Sequence, residues 1–208
     1  DADGRISLLE AHTRVRIVSP AADVPTTTSE RWLRHTGLVA GPTLDVALPE
    51  EDAVIEALST RLGLTGRLSK ARALHTVAQQ GISLAERDLE DARIREDEEF
   101  YRVSADMLSR WPVLDDPWHP DFGETLSTNR PEIEAYLKSS ASYRAYLAAR
   151  AATDQLDNFV HLQRLRATPI ERLLRAMDNR ALAERLKARG GAEWEHYERL
   201  LACERTVP

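Results

Sequence analysis

The feature that most constrains the fold of this chain is a long apolar pattern between residues 71 and 107. Apolar residues recur there at alternating steps of three and four, and His75 and Glu96 are its polar members. This spacing, sustained over about five heptads, is typical of a long helix that packs against another helix. The apolar members are Ala71, Ala78, Ile82, Ala85, Leu89, Ala92, Phe100, Val103 and Met107. We predict one continuous helix over residues 69–110, which Trp111-Pro112 ends.

A second helical segment is expected to pack against the first. Residues 112–130 contain three prolines, and an apolar stripe then runs from Ile133 to Leu165, with Pro131 near its start. Thr168-Pro169 followed by Glu171 is typical of a helix start, and Gly190-Gly191 of a break. We therefore predict an antiparallel hairpin of residues 69–110 and 131–167, followed by C-terminal helices within 169–205.

The composition favours a mainly α fold and excludes several classes. Of the 208 residues, 42% are hydrophobic and 30% charged, which excludes collagen-like, low-complexity and disulfide-scaffold chains. We expect an elongated helical bundle over residues 67–208 and a small N-terminal unit over 1–66. The net charge of -6 makes nucleic acid a poor partner. No apolar run approaches the ~20 residues of a membrane span.

The opening residues have the spacing of the later part of an EF-hand calcium loop. Asp1 and Asp3 would be carboxylate ligands, Gly4 the turn, and Glu10 the closing ligand. The first ligand of such a loop would precede Asp1, so Ca²⁺ is expected only if upstream residues complete the loop, and no other cofactor is expected. The alternative is a turn followed by a helix capped by Ser7, with Glu10 as its capping-box partner.

The same opening segment carries a family resemblance. The stretches DADGRISLLEAH (residues 1–12) and DVPTTTSE (residues 23–30) resemble the region that follows the catalytic cysteine in bacterial caspase-like and legumain-like cysteine peptidases. The resemblance implies that the N-terminal unit is the remainder of an α/β catalytic domain. It also implies that the catalytic His and Cys lie upstream of Asp1, so it assigns no catalytic residue to this chain.

Two functions follow as alternatives. Under the resemblance, the chain is the C-terminal, non-catalytic portion of a caspase-like cysteine endopeptidase, and its helices regulate the catalytic unit or dock a substrate or partner. The alternative is a non-enzymatic helical interaction or scaffold module whose hairpin binds a partner helix. Both predict a protein partner, either an upstream catalytic chain or another helical protein. The single cysteine, Cys203, cannot form a disulfide within the chain.

Three further clusters have ordinary structural interpretations. The first cluster, within residues 115–121, could ligate a metal. We favour a linker whose acidic residues cap turns and whose Trp118 and Phe122 pack onto the bundle. The second, the charge run of residues 86–99, favours a solvated helix face. The third is a basic group that acidic residues interrupt, for which nucleic-acid binding is not predicted. The first cluster is Asp115, Asp116, His119 and Asp121, and the third is Arg164, Arg166, Arg172 and Arg175.

Overall fold

The computed structural model of the chain describes residues 6–37 and 46–206. Within those ranges the chain is a mainly α protein, as predicted, and no β-strand is found there. Its α-helices are α1 (Leu8–Val18), α2 (Thr28–His35), α3 (Pro49–Arg61), α4 (Ala71–Arg110), α5 (Phe122–Thr128), α6 (Arg130–Ser139), α7 (Ala141–Arg189) and α8 (Gly191–Arg205). Short 3₁₀ helices at Leu68–Lys70 and Pro112–Asp115 precede α4 and follow it.

Local sequence signals set the ends of the first three helices. Ser7 caps α1, and both bonds of a capping box are present: the Glu10 N–H donates to Ser7 Oγ, and the Ser7 N–H donates to Glu10 Oε2. Thr27 Oγ1 accepts from the Glu30 N–H at the start of α2. Pro49 begins α3, since a residue at the first helical position needs no N–H partner.

Helix α4 confirms the predicted long helix and most of its buried face. Ala71, Ile82, Ala85, Leu89 and Ala92 are all buried. His75 and Glu96, the polar members of the pattern, are half-buried. Phe100 departs from the prediction because half of its surface is exposed, and its ring contacts Tyr146 at a centroid distance of 5.8 Å.

The second long helix starts and ends elsewhere than predicted. The expected helix over 131–167 is divided at Ser140, whose extended backbone separates α6 from α7. The expected start at Pro169 is wrong, since α7 continues through this proline. The Thr168 hydroxyl does not cap a new helix but donates to the Arg164 carbonyl one turn earlier, at 2.8 Å. Burial of Ala167, Leu173 and neighbouring α7 residues offsets the roughly 3 kcal/mol that an interior proline costs.

The chain divides into two compact units. The first comprises residues 1–80 and 163–208, and the second residues 81–162, so the expected boundary at residue 66 lies inside the first unit. Two clusters form the core of the first unit, where α1–α3 pack against the C-terminal part of α7 and against α8. One contains Leu9, Leu33, Leu48, Leu182, Leu186, Tyr197 and Leu201, and the other Val54, Leu58, Leu64, Ala71, Leu173, Leu174 and Ala176.

The second unit contains the predicted antiparallel hairpin, formed by parts of α4 and α7. Ala85 and Leu89 pack against Val160 and Leu156. Further along α4 the partners come earlier in α7: the Ser142 hydroxyl donates to Asp106 Oδ2 at 2.5 Å. Partner numbers that fall along one helix as they rise along the other show that the two helices run in opposite directions.

Where α4 ends, Trp111 is buried and contacts the Tyr136 ring of α6 edge-to-face, with centroids 5.6 Å apart. The Arg110 guanidinium lies over both rings and its Nη2 donates to Glu132 at 3.1 Å. Across the described ranges, none of the helices has the length and apolar character that crossing a bilayer requires.

Candidate interaction surface

The hairpin of the second unit has two sides of different character. Residues one position before and one position after a buried helical residue lie on opposite sides of it, because successive residues are turned by about 100°. Arg93 follows buried Ala92, Asp157 follows Leu156, and the two form an ion pair at 3.3 Å. The residues that follow the buried positions therefore share one side of the antiparallel pair. Those that precede the buried positions share the other.

The side formed by the preceding residues exposes large apolar groups. Leu84, which precedes buried Ala85, is 60% exposed, and Phe159, which precedes buried Val160, is 46% exposed. Leu162 lies one turn beyond Phe159 on α7 and is 42% exposed. Ala148 and Ala152 continue this side along α7 and are exposed as well. We call these five residues the apolar face.

The residues that follow the buried positions on the opposite side are polar. Their exposed or half-exposed members are Ser83, Glu86, Glu90, Arg93, Arg150, Asp154, Asp157 and His161. We call them the charged face. This part of α4 agrees with the solvated face predicted for residues 86–99. The two faces therefore differ in character, since Leu84, Phe159 and Leu162 are exposed on one side and the residues of the charged face are polar.

Two acids border the apolar face on α4. Asp88 and Asp91 precede buried Leu89 and Ala92, so they lie on the same side as Leu84, and both are exposed. In the part of the chain that the structure describes, no Lys, Arg or His forms an ion pair with either carboxylate. The apolar face therefore has a negatively charged edge.

Of the predicted calcium ligands, Asp1 and Asp3 lie outside the described residues. Glu10 lies in the first turn of α1, where its Oε2 accepts the Ser7 N–H at 2.7 Å, as the alternative capping-box interpretation expects. That hydrogen bond also lowers the pKa of Glu10. Within residues 6–37 and 46–206, no three His, Cys, Asp or Glu side chains come together as a metal site would require.

The acidic linker forms turns, and one prediction about it is wrong. Asp116 Oδ1 accepts the Trp118 N–H at 2.9 Å, and His119 Nδ1 accepts the Asp121 N–H at 3.1 Å, so these side chains cap local turns. Trp118 does not pack onto the bundle: it is 91% exposed. The hydrogen bonds of the turn determine the path of this segment without a contact from the indole.

The arginines of the predicted basic cluster on α7 differ in burial: Arg172 is buried, whereas Arg164 and Arg166 are exposed. Arg172 is only 2% exposed and donates five hydrogen bonds to the carbonyl oxygens of Arg16, Ser19, Ala21 and Asp23. Its burial lowers its pKa, but a guanidinium in a protein keeps its proton. Only part of the cluster therefore presents charge to solvent.

A buried polar network joins α1, α2, α3 and α7 in the first unit. Arg16, 2% exposed, makes a bidentate ion pair with Glu51, at 2.9 and 2.8 Å. Asn179 Nδ2 donates to the same carboxylate at 3.2 Å. Glu30 accepts from Arg175 through Oε1. Burial raises the pKa of Glu30, whereas the Arg175 and Asn179 side chains lower it. These two side chains together outweigh burial, so the pKa lies below its ordinary value.

His12 lies beside this network on α1. Its burial lowers its pKa, and Arg16 adds to that, while the Pro25 carbonyl and the carboxylates of Glu30 and Glu51 act in the opposite direction. The sequence analysis did not single out this network. The spacing in the sequence could have indicated it. Leu9, His12 and Arg16 are separated by steps of three and four residues, so all three lie on the inward face of α1.

Comparisons of this chain with protein-family models, with curated proteins and with solved structures gave no match.

Proposed function

We propose that this chain is a non-catalytic helical module that binds a protein partner through the apolar face of its hairpin. The observation that carries the proposal is the asymmetry of the hairpin. One side exposes Leu84, Phe159 and Leu162, and the residues that follow the buried positions on the other side are polar. Exposed apolar groups that share one side of a helix pair and are rimmed by polar residues are typical of protein contact sites.

The exposed fractions of these side chains determine how much free energy a partner would gain by covering the apolar face. Fully burying a Leu or Phe side chain is worth about 1.5–3 kcal/mol. Covering the exposed parts of Leu84, Phe159 and Leu162, which range from 42% to 60%, would therefore contribute roughly 2–4 kcal/mol. That is a useful core for an interface but not a complete one, so polar contacts at its edge must determine which partner binds.

The edge charges favour a partner with basic residues. Asp88 and Asp91 border the apolar face, and the chain carries a net charge of -6. An amphipathic helix whose apolar stripe covers Leu84 and Phe159 would place its flanking Lys or Arg residues beside these two carboxylates. Such helix-on-helix docking uses anchors at i, i+3, i+4 and i+7.

The test uses a defined probe, a designed amphipathic helical peptide with a leucine stripe and flanking lysines, and a second peptide with glutamates in place of the lysines. Fluorescence anisotropy measures binding of each to the full chain. We expect the lysine peptide to bind more tightly, and Leu84→Asp to weaken its binding at least about tenfold. The matched control is Ser83→Asp, an exposed neighbour on the charged face, which should leave binding unchanged.

Three results would overturn the proposal. Equal binding of both peptides would remove the role of Asp88 and Asp91, and equal effects of Leu84→Asp and Ser83→Asp would remove the role of the apolar face. Self-association that Leu84→Asp abolishes, measured by sedimentation equilibrium, would make a second copy of the chain the occupant. Far-UV circular dichroism of each variant separates loss of binding from loss of helix.

A second proposal concerns the protein from which this sequence comes. The resemblance of residues 1–12 and 23–30 to caspase-like cysteine peptidases supports a module that regulates such a peptidase or docks its substrate. The test is to treat the product of the complete gene with a cysteine-directed electrophile and to map the labelled chain by mass spectrometry. A hyper-reactive cysteine upstream of Asp1 would support the proposal, and labelling of Cys203 alone would contradict it.

A further inference from the structure

The first unit contains a small, partly open polar cavity between α1, α2, α3, α7 and α8. Its volume is about 20 Å³, and Leu9, Leu33 and Leu201 are among the apolar side chains that line it. His12, Arg16, Glu30 and Asn179 line the same cavity. A cavity needs only about 10–15 Å³ to hold one water molecule, so this one has room for a single water.

Three of these four polar residues keep a buried atom without a protein hydrogen-bond partner. Arg16 pairs with Glu51 through both terminal nitrogens, but its Nε has no acceptor. Glu30 accepts from Arg175 through Oε1, and its Oε2 has no donor. Asn179 donates through Nδ2, and its Oδ1 accepts nothing. The fourth residue, His12, has the Pro25 backbone carbonyl beside its ring.

These atoms cannot be left to bulk solvent. Arg16, Glu30 and Asn179 are 2%, 4% and 1% exposed. A buried polar atom with no hydrogen bond costs about as much as the bond it lacks, and several of them around one cavity would be a large penalty. Something inside the cavity must therefore satisfy them.

We infer that the cavity binds one internal water molecule. A water donates two hydrogen bonds and accepts two. The two acceptors around the cavity are Glu30 Oε2 and Asn179 Oδ1, and the donor is Arg16 Nε. These three partners suit a single water, since a buried water typically makes about three hydrogen bonds, and it would link α1, α2 and α7 through one molecule.

The first test is a crystal structure of the full chain at a resolution that shows ordered waters. We expect one water within hydrogen-bond distance of Glu30 Oε2 and Asn179 Oδ1. An empty cavity would overturn the inference. So would direct pairing of these two side chains with Arg16 or His12, or an ion in place of the water.

The second test works in solution and uses matched variants. Magnetic relaxation dispersion of the water ¹⁷O nucleus counts long-lived internal waters, and Asn179→Leu should reduce its amplitude by the contribution of a single molecule. The control is Asn158→Leu, which replaces an exposed asparagine of the same helix and should not change the amplitude. An unchanged amplitude in folded Asn179→Leu would contradict the inference. If that variant does not fold, the crystal structure of the unaltered chain decides.

Discussion

Replacing Arg172 by methionine tests how one buried guanidinium holds residues 16–23 against α7. Its nitrogens donate to the carbonyl oxygens of Arg16 at 3.3 Å, Ser19 at 2.8 Å, Ala21 at 2.8 Å and Asp23 at 3.0 and 2.6 Å. Throughout the described ranges, no carboxylate forms an ion pair with it. Backbone carbonyls are therefore its hydrogen-bond partners, and the Asp23 and Glu171 carboxylates favour its charge without pairing with it.

The cost of the substitution follows from which carbonyls water can reach. Methionine keeps the apolar stem and removes every donor. The Arg16 carbonyl takes part in a fully buried bond, and leaving it without a donor costs about 1–3 kcal/mol. The carbonyls of Ser19, Ala21 and Asp23 are only partly buried, so each lost bond costs about 0.5–1 kcal/mol. We expect Arg172→Met to lower the free energy of unfolding by about 3–5 kcal/mol.

Urea unfolding, followed by tryptophan fluorescence and circular dichroism, measures this loss, and hydrogen exchange shows whether protection falls first in residues 16–23. Arg172→Lys should cost about half as much, because the ammonium keeps the charge but lacks the planar fork of donors. Arg166→Met, at an exposed position of the same helix, is the control and should stay within about 0.5 kcal/mol of the unaltered chain. A loss below about 1 kcal/mol for Arg172→Met would refute the reasoning.

Three further predictions concern single residues of the first unit. Burial holds the pKa of His12 below its ordinary value of 6.5 in the folded chain. As the pH falls, His12 is therefore protonated more readily in the unfolded chain than in the folded one. Stability should therefore fall as the pH drops below that value, and His12→Gln should flatten this part of a plot of urea midpoint against pH; an unchanged slope would contradict the assignment. Glu204 accepts the Ser29 N–H at 2.8 Å and the Ser29 hydroxyl at 2.5 Å at the start of α2. Glu204→Ala should lower the free energy of unfolding by about 1–3 kcal/mol in urea titrations, and Glu204→Gln by less. Pro169→Ala restores an N–H inside α7 and should raise the free energy of unfolding by about 1–2 kcal/mol, which a higher melting temperature would show. A lower melting temperature would mean that the proline ring packs better than alanine.

The sequence predicts the parts of the fold that depend on short spacings. The apolar pattern of α4 and the capping box of Ser7 and Glu10 are both local, and both are found in the structure. Pro169 shows the limit of such signals. Its neighbours favour a helix start, but packing along α7 outweighs that preference, and packing energy cannot be calculated from a window of a few residues.

The candidate surface shows a similar limit. The sequence predicts the inward residues of α4 but not which flank of the hairpin stays apolar, because that depends on which α7 residues lie beside Leu84. Arg172 is the clearest failure. In the sequence it is one of several arginines on a helix, and only the path of residues 16–23 around it makes it a buried side chain.

The division of the chain has a consequence for its synthesis on the ribosome. Helices α1–α3 leave the exit tunnel before the later helices of this chain, yet Leu173, Leu182 and Tyr197, which complete their core, are translated only after the whole of residues 81–162. The hairpin unit can fold while the chain is still growing. The early helices must wait with Leu9, Leu33 and Val54 uncovered, so a slow stretch of translation before residue 173 would prolong their exposure to chaperones and proteases.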